Sequence, residues 1–249
     1  MNQGKDRCYK CRVPRAVGGV APTELPTIGP SAAVAPTGRY RSSAFRAVIA
    51  SALILGVAVL AIVRTVVATL LLPSLAQGDT RVAEGTLSML VEQLVLFIGL
   101  GVAALVMFAA WLSRVIDNIP PLTGAYPRAT PRLTILQVLI PGLNFIWIPS
   151  ILREALRYLD PRGNGDAIVA AAVLPLIGAT LGGAIFSRFI SISTLFGGMS
   201  VESAVELQGV FGQVVVGILA IGAVMLVAVI ARVERQSAAR AREARAAAA

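Results

Sequence analysis

Long apolar stretches, broken by short polar ones, organise this chain. Four stretches reach the ~20 helical residues needed to cross the ~30 Å apolar core of a bilayer: residues 47–72, 89–112, 167–186 and 207–231. Each predicts a membrane-spanning helix. A fifth stretch, 133–152, is nearly as apolar, but it is punctuated: residues 139–150 read LIPGLNFIWIPS. Pro141 removes a backbone donor and blocks a straight helix, and Gly142 lets the chain turn. Irregular backbone at membrane depth is tolerated only when it is buried in protein or lines a wet cavity. Asn144 is therefore expected to hydrogen-bond the peptide groups released by the break. Trp147 suits a headgroup boundary. Pro149 suits the first turn of a new helix over 150–158, which would put Arg153 and Arg157 one turn apart, both within reach of lipid phosphates. The pattern predicts an all-α integral membrane protein: a four-transmembrane-helix bundle with a Pro/Gly-broken interfacial or re-entrant segment between the second and third spans.

The placement of charge selects four spans over five. Cytoplasmic flanks collect Lys and Arg, and translocated loops avoid them. With four spans and the N-terminus inside, nineteen basic residues lie inside and two, Arg81 and Arg188, outside. A fifth span at 133–152 would make the division twelve to nine. The sequence thus predicts a multi-pass protein of a plasma membrane with both termini cytoplasmic. Composition agrees, with 56% hydrophobic residues, 14% charged and a mean hydropathy of +0.78. A soluble domain carries roughly 25–35% charge on its surface. Residues 1–45 lack an apolar leader core and read as a flexible, basic, Pro/Gly-rich arm with a lone CxxC. Residues 46–232 form the membrane domain, and 233–249 a basic, Ala/Arg-rich helical tail. The chain has no histidine, which excludes Ser-His and Cys-His catalysis, HExxH zinc chemistry and histidine proton relays.

At the end of the second span Trp111, Arg114 and Asn118 form W-x-x-R-x-x-x-N. Leu122, Gly124 and Pro131 follow, and then residues 140–149 read IPGLNFIWIP. This order resembles the bacterial membrane family called domain of unknown function four-three-two-eight. The resemblance covers about residues 45–235, with its specific core at about 111–150. It implies a four-span protein with a variable Pro/Gly-rich N-terminal arm, which in the family often carries a zinc-ribbon-like Cys pair. Leu133 and Thr134 stand where the family often has Trp, and Thr123 separates Leu122 from Gly124. The family brings no established activity. Trp111, Arg114, Asn118, Pro131, Pro141, Asn144 and Pro149 are the candidate structural or polar-site residues.

Other motifs are weaker. Cys8 and Cys11 have zinc-knuckle spacing, but a structural zinc site needs four ligands. Zinc is therefore expected only if two chains share a site; otherwise no cofactor is expected. Residues 163–166 read GNGD, matching the GxGD signature of intramembrane aspartyl proteases. That chemistry needs a second carboxylate, for which Asp117 is the candidate; otherwise Asp166 caps the third span. Arg64 and Glu92 are expected at similar depth on adjacent spans, as an intramembrane ion pair. Gly178 and Gly182 are spaced for close helix packing within the bundle or in a homodimer. The arginines of the tail favour anionic lipid headgroups. No aromatic residues alternate with them, so nucleic acid is not expected as a partner. These features predict a non-enzymatic scaffold or interaction protein at the inner leaflet, with an unidentified protein partner. The alternatives are a small transporter or channel with Asn144, Asn118 and Arg114 around a polar cavity, and the GxGD protease.

Overall fold

The computed structural model describes residues 39–76, 80–140, 142–198 and 200–247. Among these residues every regular element is a helix: α1 (Ala44–Ala76), α2 (Thr80–Thr123), α3 (Pro131–Leu139), α4 (Asn144–Leu159), α5 (Gly165–Leu195) and α6 (Val201–Ala246). Four of them, α1, α2, α5 and α6, are long and apolar enough to cross a membrane. The two helices between the second and third spans, of 9 and 16 residues, are too short to do so. The chain is a multi-pass membrane helical bundle.

The broken segment has a clear local logic. Thr130 caps α3, its hydroxyl oxygen accepting from the Leu133 N–H, and Pro131 takes the first turn, where its missing donor costs nothing. At the other end of α3, Ile140 is extended, with φ −76° and ψ 114°. A residue before proline is pushed out of the helical region, so the sequence stops α3 there. Gly142 then turns the chain at φ +83°, and α4 begins two residues on. Here the structure corrects one expectation: the new helix runs Asn144–Leu159, and Pro149 lies inside it. At the sixth residue of α4, Pro149 forfeits only the bond to the Phe145 carbonyl, which the helix survives.

The spans are longer than their apolar cores. At 1.5 Å per residue, α6 with its 46 residues is about 69 Å long, more than twice the ~30 Å hydrocarbon core. α2 reaches Gly124, where φ is +69° and the N–H caps the Pro120 carbonyl at 2.9 Å. The register of α1 against α2 is antiparallel. Arg46 Nη1 donates to the Ala110 carbonyl at 3.1 Å, and ten residues on Gly56 lies against Leu100.

In the bundle α1 packs against α2 and α6, and α5 packs against α6. α4 touches α5, α2 and α6 at one end, and α3 lies on α2. Among the described residues α2 and α5 do not touch. The spans thus form an open array in the order α2–α1–α6–α5, with α4 closing its mouth at one end only. At that end the packing is tight. Trp111, Leu112, Ile119, Leu152, Leu156 and Ile230 are all fully buried there. Away from it most large apolar side chains are exposed, as expected where lipid is the solvent.

The glycine expectation is corrected. A side-chain carbon at Gly178 or Gly182 would meet nothing within 4 Å, so neither marks a close helix approach within the bundle. The tight contact lies at Gly222 of α6, where a Cβ would come within 2.8 Å of the Leu176 side chain of α5. Hydropathy and spacing cannot say which glycine row faces a neighbour.

Candidate functional site

Two polar clusters and one cavity lie at or near the packed end. The first cluster is built on the W-x-x-R-x-x-x-N motif. Trp111 and Asn118, seven residues apart on α2, are two turns apart on the same side of the helix, and both are buried. The indole Nε1 donates to Glu234 Oε1 of α6 at 2.8 Å, and the Ser43 hydroxyl donates to the same oxygen at 2.6 Å. The Trp111 ring also packs on Phe108, with centroids 5.4 Å apart. Asn118 grips the backbone of the segment entering α1. Its Nδ2 donates to the Arg41 carbonyl at 2.8 Å, and its Oδ1 accepts from the Arg41 N–H at 3.1 Å. An amide side chain can pair a peptide group in this two-way fashion because it carries both donor and acceptor. The cluster thus joins α2, α6 and the N-terminal entry. Burial, with the Glu234 charge next in effect, pushes the nearby Tyr40 phenol above its ordinary pKa. Arg114 takes no part: it pairs with Asp117 one turn away, at 3.2 Å.

The second cluster holds the turn between α4 and α5. Arg232 Nη2 of α6 donates to Asp160 Oδ2 at 2.7 Å, and Gln236 Nε2 donates to the same oxygen at 3.3 Å. Arg240 Nε reaches the Leu159 carbonyl at 3.4 Å. Gly163 is required here. A methyl group at that position would collide with the Asp160 carboxylate and lie 2.7 Å from Arg232 Nη2. The GNGD run is therefore a turn locked to α6. Residues past 232, read from sequence as tail, are part of the bundle's end: Glu234, Gln236 and Arg240 bond to other elements, and Ser237 is buried.

The third feature is a cavity of about 600 Å³ among α1, α2, α4, α5 and α6. Its wall is almost wholly apolar and includes Ala58, Gly101, Phe145, Leu176 and Leu219. Two polar side chains stand in that wall, Asn144 and Thr180. Thr180 donates to the Leu176 carbonyl at 2.7 Å. Asn144 Oδ1 is buried with no donor.

Several expectations change against this geometry. The polar cavity ringed by Asn144, Asn118 and Arg114 does not form, because only Asn144 lines the cavity and the other two are committed elsewhere. Asn144 does not mend the broken backbone with its side-chain oxygen; its own backbone N–H bonds the Ile140 carbonyl at 3.2 Å. Arg64 and Glu92 stand level, by the register that pairs Arg46 with Ala110, yet no ion pair joins them. Glu92 is exposed, and equal height does not bring two side chains to one face. Asp117 and Asp166 do not share a site as a protease dyad would. Each is half-exposed and bound to its own arginine, Asp166 to Arg157 at 2.7 Å. Arg157 is therefore not free to reach lipid without competition. Pro141, Cys8 and Cys11 lie outside the described residues. Glu234 and Ser43 were missed from sequence. The one clue is a lone acidic residue among the arginines of RVERQ, a turn past the apolar run.

Residues 75–177 match the model of the family described as domain of unknown function (DUF4328). The match contains the Trp111–Asn118 motif, the broken segment and the GNGD turn. No curated protein and no solved structure matches the chain.

Proposed function

We propose that this chain, built around a domain of unknown function (DUF4328), is a non-enzymatic membrane protein that binds the apolar chain of a bilayer lipid in the cleft between α2 and α5. The cavity of about 600 Å³ carries the reading. A cleft of that size between apolar helix faces needs an occupant, because bare walls forfeit the dispersion contacts that a filled one keeps. Water is a poor filler, since each buried molecule wants 2–4 polar partners and the wall supplies one unpaired oxygen. A hydrocarbon chain satisfies the wall by dispersion contacts, and the volume falls within the ~300–1,000 Å³ of ordinary ligand sites. α2 and α5 are not adjacent in the array, and the proposed route for a lipid chain from the bilayer lies between them. The unpaired Asn144 Oδ1 adds a chemical preference: the bound molecule carries a hydroxyl or amide donor near one end of its chain.

Quantifying lipid retained by the purified protein after extensive detergent exchange tests this. The expected result is about one chain-bearing molecule per protein. Replacing Asn144 by Leu should lower retention of a donor-bearing lipid on the order of fivefold while leaving the fold at least as stable, because a buried unpaired acceptor is removed. Retention unchanged by the substitution would contradict the assigned donor. Loss of folding instead would return Asn144 to a structural role.

A scaffold role is a second reading, supported by the length of α6 beyond its apolar run, which offers a basic helical surface to a partner. We place the protein in a bacterial plasma membrane with both termini cytoplasmic, on the nineteen-to-two division of basic residues. A cysteine introduced at Ala246 is expected to react with a membrane-impermeant reagent only after the cells are opened. Reaction in intact cells would reverse the threading.

A further inference from the structure

A second recess lies where α6 leaves the apolar zone. It is lined by Ile168 of α5 and by Ala228, Ala231, Arg232, Arg235 and Gln236 of α6. One part of its wall is apolar and the other basic, and the change falls at the end of the run AVMLVAVIA. A change from apolar to basic of this kind is expected at the level of lipid headgroups. Arg235 is exposed, and among the described residues its side chain has no ion-pair partner. Arg232 is held in place from behind by Asp160, which engages one Nη, and its side chain is about one-third exposed, so part of the guanidinium faces the recess. Two guanidinium charges against the single Asp160 carboxylate leave the recess net positive. Gln236 adds an amide already turned toward this corner.

We infer that this recess binds the phosphate of an anionic phospholipid, with Arg232 and Arg235 on the headgroup and the first segment of an acyl chain along Ile168, Ala228 and Ala231. Basic pockets between transmembrane helices bind anionic headgroups in this way. Arginine suits the task because its planar fork pairs two phosphate oxygens at once. The site is separate from the cleft between α2 and α5, since no residue lines both. It does not depend on the lipid reading of that cleft.

The test uses the full-length protein in micelles doped with either phosphatidylglycerol or phosphatidylcholine, with bound lipid counted by native mass spectrometry. The intact protein is expected to retain phosphatidylglycerol preferentially. Arg235→Gln should weaken that preference about fivefold, the worth of one interfacial arginine. Arg235→Lys should restore most of it. Among the described residues no ion pair involves the exposed Arg235 side chain, so Arg235→Gln is expected to fold like the parent, and the unfolding midpoint of the variant checks this. Arg188→Gln, at the opposite end of α5, should leave the preference unchanged. Equal retention of the two lipids, or an Arg235→Gln variant indistinguishable from the parent, overturns the inference. Full competition by millimolar inorganic phosphate would also overturn the lipid assignment, since it would make this a site for a free anion. Filling the large cleft by Gly101→Phe should not change the preference, which separates failure of this site from failure of the other.

Discussion

Alanine at Trp111 is expected to cost the bundle about 3–5 kcal/mol, the range for truncating a fully buried large aromatic. Its ring is completely buried, lies against Phe108, and hands its one N–H to Glu234. Trp111→Phe separates the two contributions. The ring contact largely stays and the hydrogen bond goes, for an expected loss of about 1–3 kcal/mol, because Glu234 keeps only the Ser43 hydroxyl. Ser43→Ala alone should cost less. Combined with Trp111→Phe it should cost more than the sum, since the pair together leaves a partly buried carboxylate with neither donor. Reversible unfolding in mixed micelles, titrated with a denaturing detergent, measures these differences. Strict additivity would mean that Glu234 is satisfied by something else. Asn118→Ala belongs to the same account, because it strands both the N–H and the carbonyl of Arg41.

The second large effect is expected at Gly101. This residue lines the cleft, and a side-chain carbon there would meet nothing within 4 Å. Phenylalanine at 101 therefore has room and should occupy the space assigned to the lipid chain. Bound lipid is expected to fall on the order of tenfold or more, in line with the ~1.5–3 kcal/mol that a buried apolar group is worth. Stability of the delipidated protein should rise relative to the delipidated parent, because glycine in a helix interior costs up to ~1 kcal/mol and the side chain occupies the space the lipid has left. Gly101→Ala is the control. It gains helix propensity but leaves most of the cleft open, so lipid should stay. Loss of lipid together with a gain in stability is hard to obtain by any route other than filling a binding space. A destabilised Gly101→Phe would show instead that the cleft closes in the membrane.

How much of this was readable beforehand depended on the physical signal behind each feature. The four spans were legible because the ~30 Å bilayer imposes a length that hydropathy reports directly. The break after α3 was legible too, because Pro141 constrains Ile140 and Gly142 supplies the positive φ. Helix ends beyond the membrane were not legible. Nothing in RVERQSAAR distinguishes a free tail from one whose Glu234, Gln236 and Ser237 pack against distant elements. Trp111 and Asn118 could be singled out by their motif, but their partners lie 123 and 77 residues away in sequence. Arg64 and Glu92 show the limit of arguing from depth. The two residues stand level by the helix register, yet no ion pair joins them. The cleft itself leaves little local trace in sequence: its lining is spread over five helices, and apart from Asn144 and Thr180 each lining residue looks like any other apolar residue.

The claim that the middle of the bundle is a lipid-chain site rather than closed protein can be tested by photolabelling in native membranes. A photoreactive phenylalanine analogue at Leu219, on the wall of the cleft, and another at Leu174, exposed on the outer face of α5, make the comparison. After irradiation and a stringent detergent wash, the account predicts a discrete lipid adduct of one dominant mass at 219 and a mixture reflecting bulk lipid at 174. Crosslinks at 219 to α2 or α5 alone, with no lipid adduct, would contradict it.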